Sequence, residues 1–229
     1  MNVVALIMAG GAGERFGAGP RKQLVPLCSR PMLAWSARVF ARSPRVSWIV
    51  LVGPAAEERA LRQVLTADAD AKLHAFAVGG ATRQQSVGNG LGVVPDGTTH
   101  VLIHDAARPC VSEALCDRVI DMLVMNDAVI PVVPATDTLV RVHDSRVQSM
   151  VDRTSIAGVQ TPQGFRLDLI VRAHREAKAR GFESSDDGSL VLALGEPVVT
   201  VAGERTNLKV TYKEDIAIAQ AILQGGVGS

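Results

Sequence analysis

The side chains best equipped for chemistry sit beside glycines near the start of the chain. An apolar run, Val3-Val4-Ala5-Leu6-Ile7-Met8, leads into Ala9-Gly10-Gly11-Ala12-Gly13-Glu14-Arg15-Phe16-Gly17, and Arg21-Lys22-Gln23-Leu24 follows. Glycines let successive backbone N–H groups turn toward one anion, and Arg15 and Lys22 supply charge to neutralise it. That combination suits a nucleotide phosphate. The dinucleotide fingerprint does not fit, because Gly11, Gly13 and Gly17 are spaced one residue too far and Pro20 and Pro26 oppose a long helix there. The second apolar strand also ends Leu51-Val52-Gly53, without the acid that fingerprint needs. A Walker A loop would require Gly-Lys-Ser/Thr, which the segment lacks. What remains is a loop lying over a triphosphate, with a bare glycine turn as the plain alternative.

A second group, His104-Asp105-Ala106-Ala107-Arg108-Pro109, ends another apolar run. Ligands of open α/β sheets bind beyond the carboxyl ends of strands. Asp105 there can hold magnesium through one carboxylate oxygen, with phosphates completing the shell. It can equally cap the next segment or form a structural ion pair with Arg108. Cys28, Cys110 and Cys116 form no CxxC pair and no zinc spacing, and they read as small buried hydrophobes in a reducing compartment rather than as a redox couple.

The elements that must position these groups alternate along the chain. The 229 residues suffice for one sizeable core, with 47% apolar and 21% charged residues and a net charge of +1. That balance gives no global field for nucleic acid, and 3% aromatic residues provide no base-stacking platform. No run is long enough to span a membrane, and no secretory leader precedes the first strand, so a cytoplasmic protein is expected. Strands are expected at Val3–Met8, Val46–Val52, Leu73–Val78, Thr99–His104, Ala128–Val133 and Val198–Val201. Helices are expected from a Ser29 cap through Phe40, over Ala55–Leu65 and Thr82–Leu91, from a Ser112 cap through Leu123, and over Phe165–Ala179 and Lys213–Leu223. This is an α/β, Rossmann-like, mostly parallel sheet flanked by helices, in a single domain. Residues 136–156 interrupt the series. Thr138 to His143 and Arg146 to Val151 flank Asp144-Ser145, which reads as a protruding β-hairpin arm. Its Leu139, Val142, Val147 and Met150 would present apolar surface to a second subunit, giving a homodimer; the alternative is an edge hairpin folded back on its own domain.

Taken in order, the motifs resemble those of small-molecule nucleotidyltransferases. The glycine loop with Arg15 and Lys22-Gln23 carries the likeness, as do Gly79-Gly80-Ala81-Thr82-Arg83-Gln84-Gln85-Ser86-Val87 and the His104–Pro109 element. Val159-Gln160-Thr161-Pro162-Gln163-Gly164-Phe165 narrows it to the 2-C-methyl-D-erythritol 4-phosphate cytidylyltransferases of non-mevalonate isoprenoid synthesis. The resemblance implies a CTP site at Ala9, Gly10, Gly11, Gly13, Gly80, Arg83, Ser86 and Asp105, with Arg15 and Lys22 as the catalytic cations. It implies that Gly80 backbone groups and the Ser86 hydroxyl suit a pyrimidine edge, and that Asp105 holds Mg2+. Arg108, Thr161 and Lys209 would form the substrate-phosphate pocket, with Thr138 and Arg153 reaching in from the partner's arm. The chain departs from the family pattern at Arg21 and Leu24, where Pro-Lys-Gln followed by an aromatic is common, at Gly188 within Ser185-Asp186-Asp187-Gly188-Ser189, and at Thr206, where some relatives carry an acid.

No covalent nucleophile is needed for such a reaction. A phosphate oxygen of the polyol phosphate attacks the α-phosphorus of CTP in line, and the protein positions two mutually repelling anions and stabilises the charge that develops. Two other functions stay open at this point. One is the same transfer to ribitol 5-phosphate, against which the Ala106-Ala107 pair speaks. The other is a non-catalytic nucleotide-binding protein, against which the full set of cations speaks.

Overall fold

Strand β1 (Val3–Met8) is buried along its whole length. Val3, Ala5 and Ile7 enter one core layer, and Val4, Leu6 and Met8 the other. A strand covered on both faces has no polar position to show, which is why this run reads as continuously apolar. The computed structural model describes residues 1–11, 16 and 21–226. Gly13 and Arg15 lie outside the described residues.

Along the chain the further strands are β2 (Pro26–Leu27), β3 (Arg30–Pro31), β4 (Val46–Gly53), β5 (Leu73–Val78), β6 (His100–Asp105), β7 (Ala128–Pro134), β8 (Leu139–His143), β9 (Arg146–Val151), β10 (Ala157–Val159), β11 (Gln163–Arg166) and β12 (Val199–Ala202). The helices are α1 (Met32–Arg42), α2 (Glu58–Gln63), α3 (Ala67–Ala71), α4 (Arg83–Leu91), α5 (Glu113–Met122), α6 (Leu167–Ala179), α7 (Asp187–Ala193) and α8 (Asp215–Gln224). The main sheet runs β7-β11-β6-β1-β4-β5. β5, β4, β1 and β6 are mutually parallel, while β11 is antiparallel to both β6 and β7. The sheet is therefore mixed, though mostly parallel. β12 and β11 both pair with Val129, and β12 and β10 both pair with Val132, so β10 and β11 share one edge of β7 and β12 takes the other. The Gln160–Pro162 link between β10 and β11 thus runs along that edge, from one short strand to the next.

Helices α1, α2, α3 and α5 supply one core layer through Leu33, Phe40, Leu61, Ala69, Leu115 and Val119. Helices α4, α6 and α7 supply the other through Val87, Leu91, Leu169, Ile170 and Leu190. Gly164 marks how closely α5 lies on the sheet: a Cβ there would fall 2.6 Å from both Val119 Cγ1 and Leu123 Cδ1.

Several expectations need correction. Ser29 does not cap α1; the cap position is Pro31, with no side-chain hydrogen bond. Residues 26–31 instead form a tight ribbon of β2 and β3, turned at Cys28 with φ +53°. The helix expected over Ala55–Leu65 is a short 3-10 turn followed by α2, and α3 begins at a Thr66 cap soon after. Phe165 belongs to β11 rather than to the start of α6, because burial between β6 and β7 takes it into the sheet before Leu167 opens the helix. Ser112 caps α5 as expected, its hydroxyl accepting from Leu115 N–H at 2.9 Å.

The hairpin over β8 and β9 forms its own two-stranded sheet, turned by Asp144 and Ser145, both at positive φ. Its apolar face differs by one residue from expectation. Val140 pairs with Met150 and Val142 with Val147, so these four share a face, and all are exposed. Leu139 lies on the other face and is half-buried.

Candidate active site

Asp105 occupies the last position of β6, and the chain turns there through Ala106 and Ala107 to Arg108. A hydrogen-bonded bracket fixes this turn. His104 Nε2 faces the Arg108 carbonyl at 3.3 Å, and since a carbonyl only accepts, this nitrogen carries the proton. His104 Nδ1 then accepts from the Thr161 hydroxyl at 3.1 Å, and that hydroxyl accepts from the Asp105 N–H at 3.1 Å. His104 and Thr161 are both buried. Burial drives the His104 imidazole down to about 3, so the ring is neutral at physiological pH.

Around this turn the structure gathers charge. Arg83, the first residue of α4, donates from Nε to Asp105 Oδ1 at 3.2 Å, and Lys209 Nζ donates to Asp105 Oδ2 at 2.7 Å. Burial alone would raise the Asp105 carboxyl; Arg83, then Lys209, outweigh it and hold the group well below the usual carboxylate range. Arg108 is not the ion-pair partner that its spacing from Asp105 suggests. Its guanidinium donates to the carbonyls of Asn207 (2.8 Å) and Val159 (3.2 Å), and its buried Nε has no hydrogen-bond partner. Burial pushes the Arg108 pKa down from its ordinary value.

Arg83, Asp105, Arg108, Thr161 and Lys209 line one cleft of about 280 Å³, together with Gln160, Gln163 and Asp186. A larger hollow of about 840 Å³ runs along α4 and α6 and is lined by none of these residues. Lys22 reaches the neighbourhood of the smaller cleft from the other side. Its Nζ donates to the carbonyl of Val210, the residue after Lys209, at 2.9 Å. Ala9 and Gly10 follow β1 beside β4, where Ala9 N–H donates to the Val52 carbonyl, and the Gly11 carbonyl accepts from the Gln23 side chain.

The segment before α4 is shaped by Ser86. Its hydroxyl accepts the Gly80 N–H at 3.0 Å and donates to the Thr82 carbonyl at 2.9 Å. The hydroxyl proton is thereby spent on the loop, leaving acceptor capacity only. Glycine is required at 80, where a Cβ would lie 2.4 Å from Gln85 Cβ. Thr138 and Arg153 do not join the cleft. Both are exposed at the base of the hairpin, and Arg153 donates to the Thr136 carbonyl at 2.6 Å.

Positions that the sequence did not single out hold the site together. Asn207, fully buried, donates to the Thr161 carbonyl at 2.8 Å while its own carbonyl receives Arg108, so it seats Lys209 two residues later. Gln160 donates to the Glu204 carbonyl, closing the same loop. Asp187 accepts from Arg83 Nη1 at 2.6 Å. Asp187 lies within the Ser185–Ser189 segment and Asn207 follows Thr206, but no spacing rule ties either to Arg83 or Arg108. Cys110 and Cys116 are buried, and burial raises both thiols, Cys110 to about 12, which fits inert packing.

The donor set accommodates a divalent cation in one way. Among the described residues no three His, Cys, Asp or Glu side chains cluster as a metal cage. Asp105 offers a single carboxylate, enough for an ion whose remaining ligands are phosphate oxygens and water.

A family model described as 2-C-methyl-D-erythritol 4-phosphate cytidylyltransferase matches residues 3–225. The chain is 42% identical over 223 residues to the protein of that name from Geobacillus thermodenitrificans, with 97% of each covered. It is 39% identical over 219 residues to that of Prochlorococcus marinus, covering 95% of this chain and 96% of the relative. The crystal structure of 4-diphosphocytidyl-2C-methyl-D-erythritol synthase from Anaerococcus prevotii is similar with a TM-score of 0.84 at 30% identity, covering 97% of this chain and 96% of that one. The cytidylyltransferase structure from Thermus thermophilus gives 0.79 at 33%, covering 96% and 98%.

Proposed function

The chain belongs to the 2-C-methyl-D-erythritol 4-phosphate cytidylyltransferase (IspD) family, and from that membership we propose how its cleft carries out the family's reaction. The activity is transfer of the cytidylyl group of CTP to 2-C-methyl-D-erythritol 4-phosphate, a step of isoprenoid precursor synthesis. A phosphate oxygen of the polyol forms a bond to the α-phosphorus, and the bond from that phosphorus to the bridging oxygen breaks, so that pyrophosphate leaves with the electron pair. The attacking phosphate is already anionic at neutral pH, so no general base is needed. The protein's work is alignment and charge stabilisation.

The single observation that carries this reading is the convergence of Arg83 and Lys209 on Asp105 in one cleft that Arg108 also lines. In our assignment the guanidinium of Arg108 and the ammonium of Lys209 meet oxygens of the polyol phosphate, while Thr161 serves that pocket by fixing the turn that carries Arg108. Lys22, with Arg15, attends the phosphates of CTP. Gly80 and Ser86 face the pyrimidine; with its proton spent, the Ser86 hydroxyl can only accept, which matches the exocyclic amine of cytosine. Asp105 would hold Mg2+, which when bound neutralises phosphate charge as substrate approaches.

The exposed apolar face of Val140, Val142, Val147 and Met150 supports a homodimer through the arm, with Thr138 and Arg153 serving the partner's cleft. A monomer in sedimentation equilibrium at micromolar concentration would refute that part. The three free thiols suit a reducing, cytoplasmic location. No helix among the described residues is long and apolar enough to cross a membrane.

Pyrophosphate release tests the reading. CTP with 2-C-methyl-D-erythritol 4-phosphate should turn over far faster than CTP with ribitol 5-phosphate. The reverse order would assign the other polyol, and no release with either would refute catalysis.

A further inference from the structure

Behind Arg83 stands a second buried carboxylate that the transfer reaction does not itself call for. Asp187, the first residue of α7, is 1% exposed. Its Oδ2 accepts from Arg83 Nη1 at 2.6 Å, and its Oδ1 lies 3.2 Å from Nε2 of His174, a buried residue of α6. Arg83 meets Asp105 through a different nitrogen, Nε. A line of contacts therefore runs from His174 through Asp187 and Arg83 to Asp105 and Lys209, drawing on α6, α7, α4, β6 and the segment before α8.

We infer that Asp187, backed by His174, is a positioning residue for the nucleotide side of the cleft: it pins the Arg83 guanidinium so that Asp105 is shared between Arg83 and Lys209. The inference rests on the reading of the cleft given above. Stability is a poor account of this arrangement, since apolar side chains of similar volume commonly replace buried ion pairs without loss. Geometry is a better one. A guanidinium held at Nε and Nη1 by two carboxylates has its plane fixed at two points. With Asp187 neutralised, Arg83 is free to turn both edge nitrogens onto Asp105 and draw it from Lys209.

Charge and geometry make opposite predictions here. Asp187→Asn removes a negative charge beside a site for two polyanions, so charge alone tightens CTP binding. Loss of positioning weakens transfer instead.

The experiment is a double-mutant cycle on pyrophosphate release, comparing Asp187→Asn, Arg83→Met and the double variant, with kcat and KM for CTP and for the polyol phosphate read separately. Asp187→Asn is expected to lower kcat/KM for CTP by about tenfold or more, the scale of one hydrogen bond to a charged group. The double variant is expected to be no worse than Arg83→Met alone, because Asp187 acts through Arg83. A lower KM for CTP with unchanged kcat, or losses that multiply in the double variant, would overturn the inference. Arg83→Met strands a buried carboxylate, so thermal melting accompanies each variant. Should the single variants unfold, His174→Gln and His174→Leu decide: glutamine keeps a donor and should stay near wild type, while leucine should lower kcat/KM for CTP severalfold. Equal behaviour of those two would also overturn it. Failure of the functional reading would look different, as a wild-type enzyme that releases no pyrophosphate.

Discussion

Mild acid should destabilise this protein through one histidine. His104 is fully buried between the Thr161 hydroxyl and the Arg108 carbonyl, and burial takes its pKa from the ordinary 6.5 to about 3. Unfolded chains take up a proton at this position near pH 6.5, whereas the native ring refuses it until about pH 3. Between those values the unfolded state binds more protons, so stability falls as pH falls, and above 6.5 the contribution is complete. At pH 5 the unfolded ring is one and a half units below its midpoint, which at about 1.4 kcal/mol per unit costs about 2 kcal/mol relative to pH 7.5. For a chain of this length that corresponds to about 4–8 °C in Tm.

The assay is urea unfolding at pH 7.5 and pH 5 for wild type and His104→Gln, with the slope m checked for constancy. Glutamine keeps a donor for the Arg108 carbonyl but does not titrate. The variant should be less stable at pH 7.5, yet its loss between pH 7.5 and 5 should be smaller than that of wild type by about 2 kcal/mol. His100, whose pKa burial also lowers, is present in both proteins and cancels in the comparison. Equal losses in the two proteins would refute the assignment of the acid-sensitive group.

Three further outcomes follow from the same geometry. Thr161→Val removes the hydroxyl between the Asp105 N–H and His104 Nδ1, leaving two buried polar groups unmet, and should cost about 2–5 kcal/mol in urea unfolding, while Thr161→Ser should recover most of it. Lys209→Met should lower kcat/KM by roughly a hundredfold or more through lost stabilisation of developing charge, and near-normal turnover would remove Lys209 from the mechanism. A chromogenic disulfide reagent should modify exposed Cys28 quickly in the native protein and reach Cys110 and Cys116 only after denaturation; fast reaction of all three would contradict their burial.

The parallel half of the sheet and its helices could be read directly from the residues, because β1 and β4 are continuous apolar runs and α4 and α5 carry Thr82 and Ser112 caps. The short antiparallel strands of the main sheet could not. β10 and β11 are three and four residues long, too short to show a period, and Phe165 fits a helical face as well as a strand. The cleft divides similarly. Asp105 announced itself at a strand end, whereas its pairing with Arg83 and Lys209 spans 22 and 104 residues of sequence. Spacing pointed instead to Arg108, whose guanidinium is drawn to the carbonyls of Asn207 and Val159. The family likeness puts Thr161 in the substrate pocket, and its hydroxyl is the pin of the His104–Arg108 turn.

The place of β11 has a consequence for synthesis. It is wedged antiparallel between β6 and β7, strands that are complete by residue 134, yet it ends only at Arg166. Until the ribosome has delivered that segment, β6 and β7 face one another across a vacant slot with bare backbone edges, the kind of surface that recruits other chains. Lys209 emerges later still, so a nascent chain stalled in this interval would display sticky strand edges and a carboxylate without its lysine. Production of this protein should therefore depend more on how fast translation passes residues 134–166 than on the strength of the parallel core made before them.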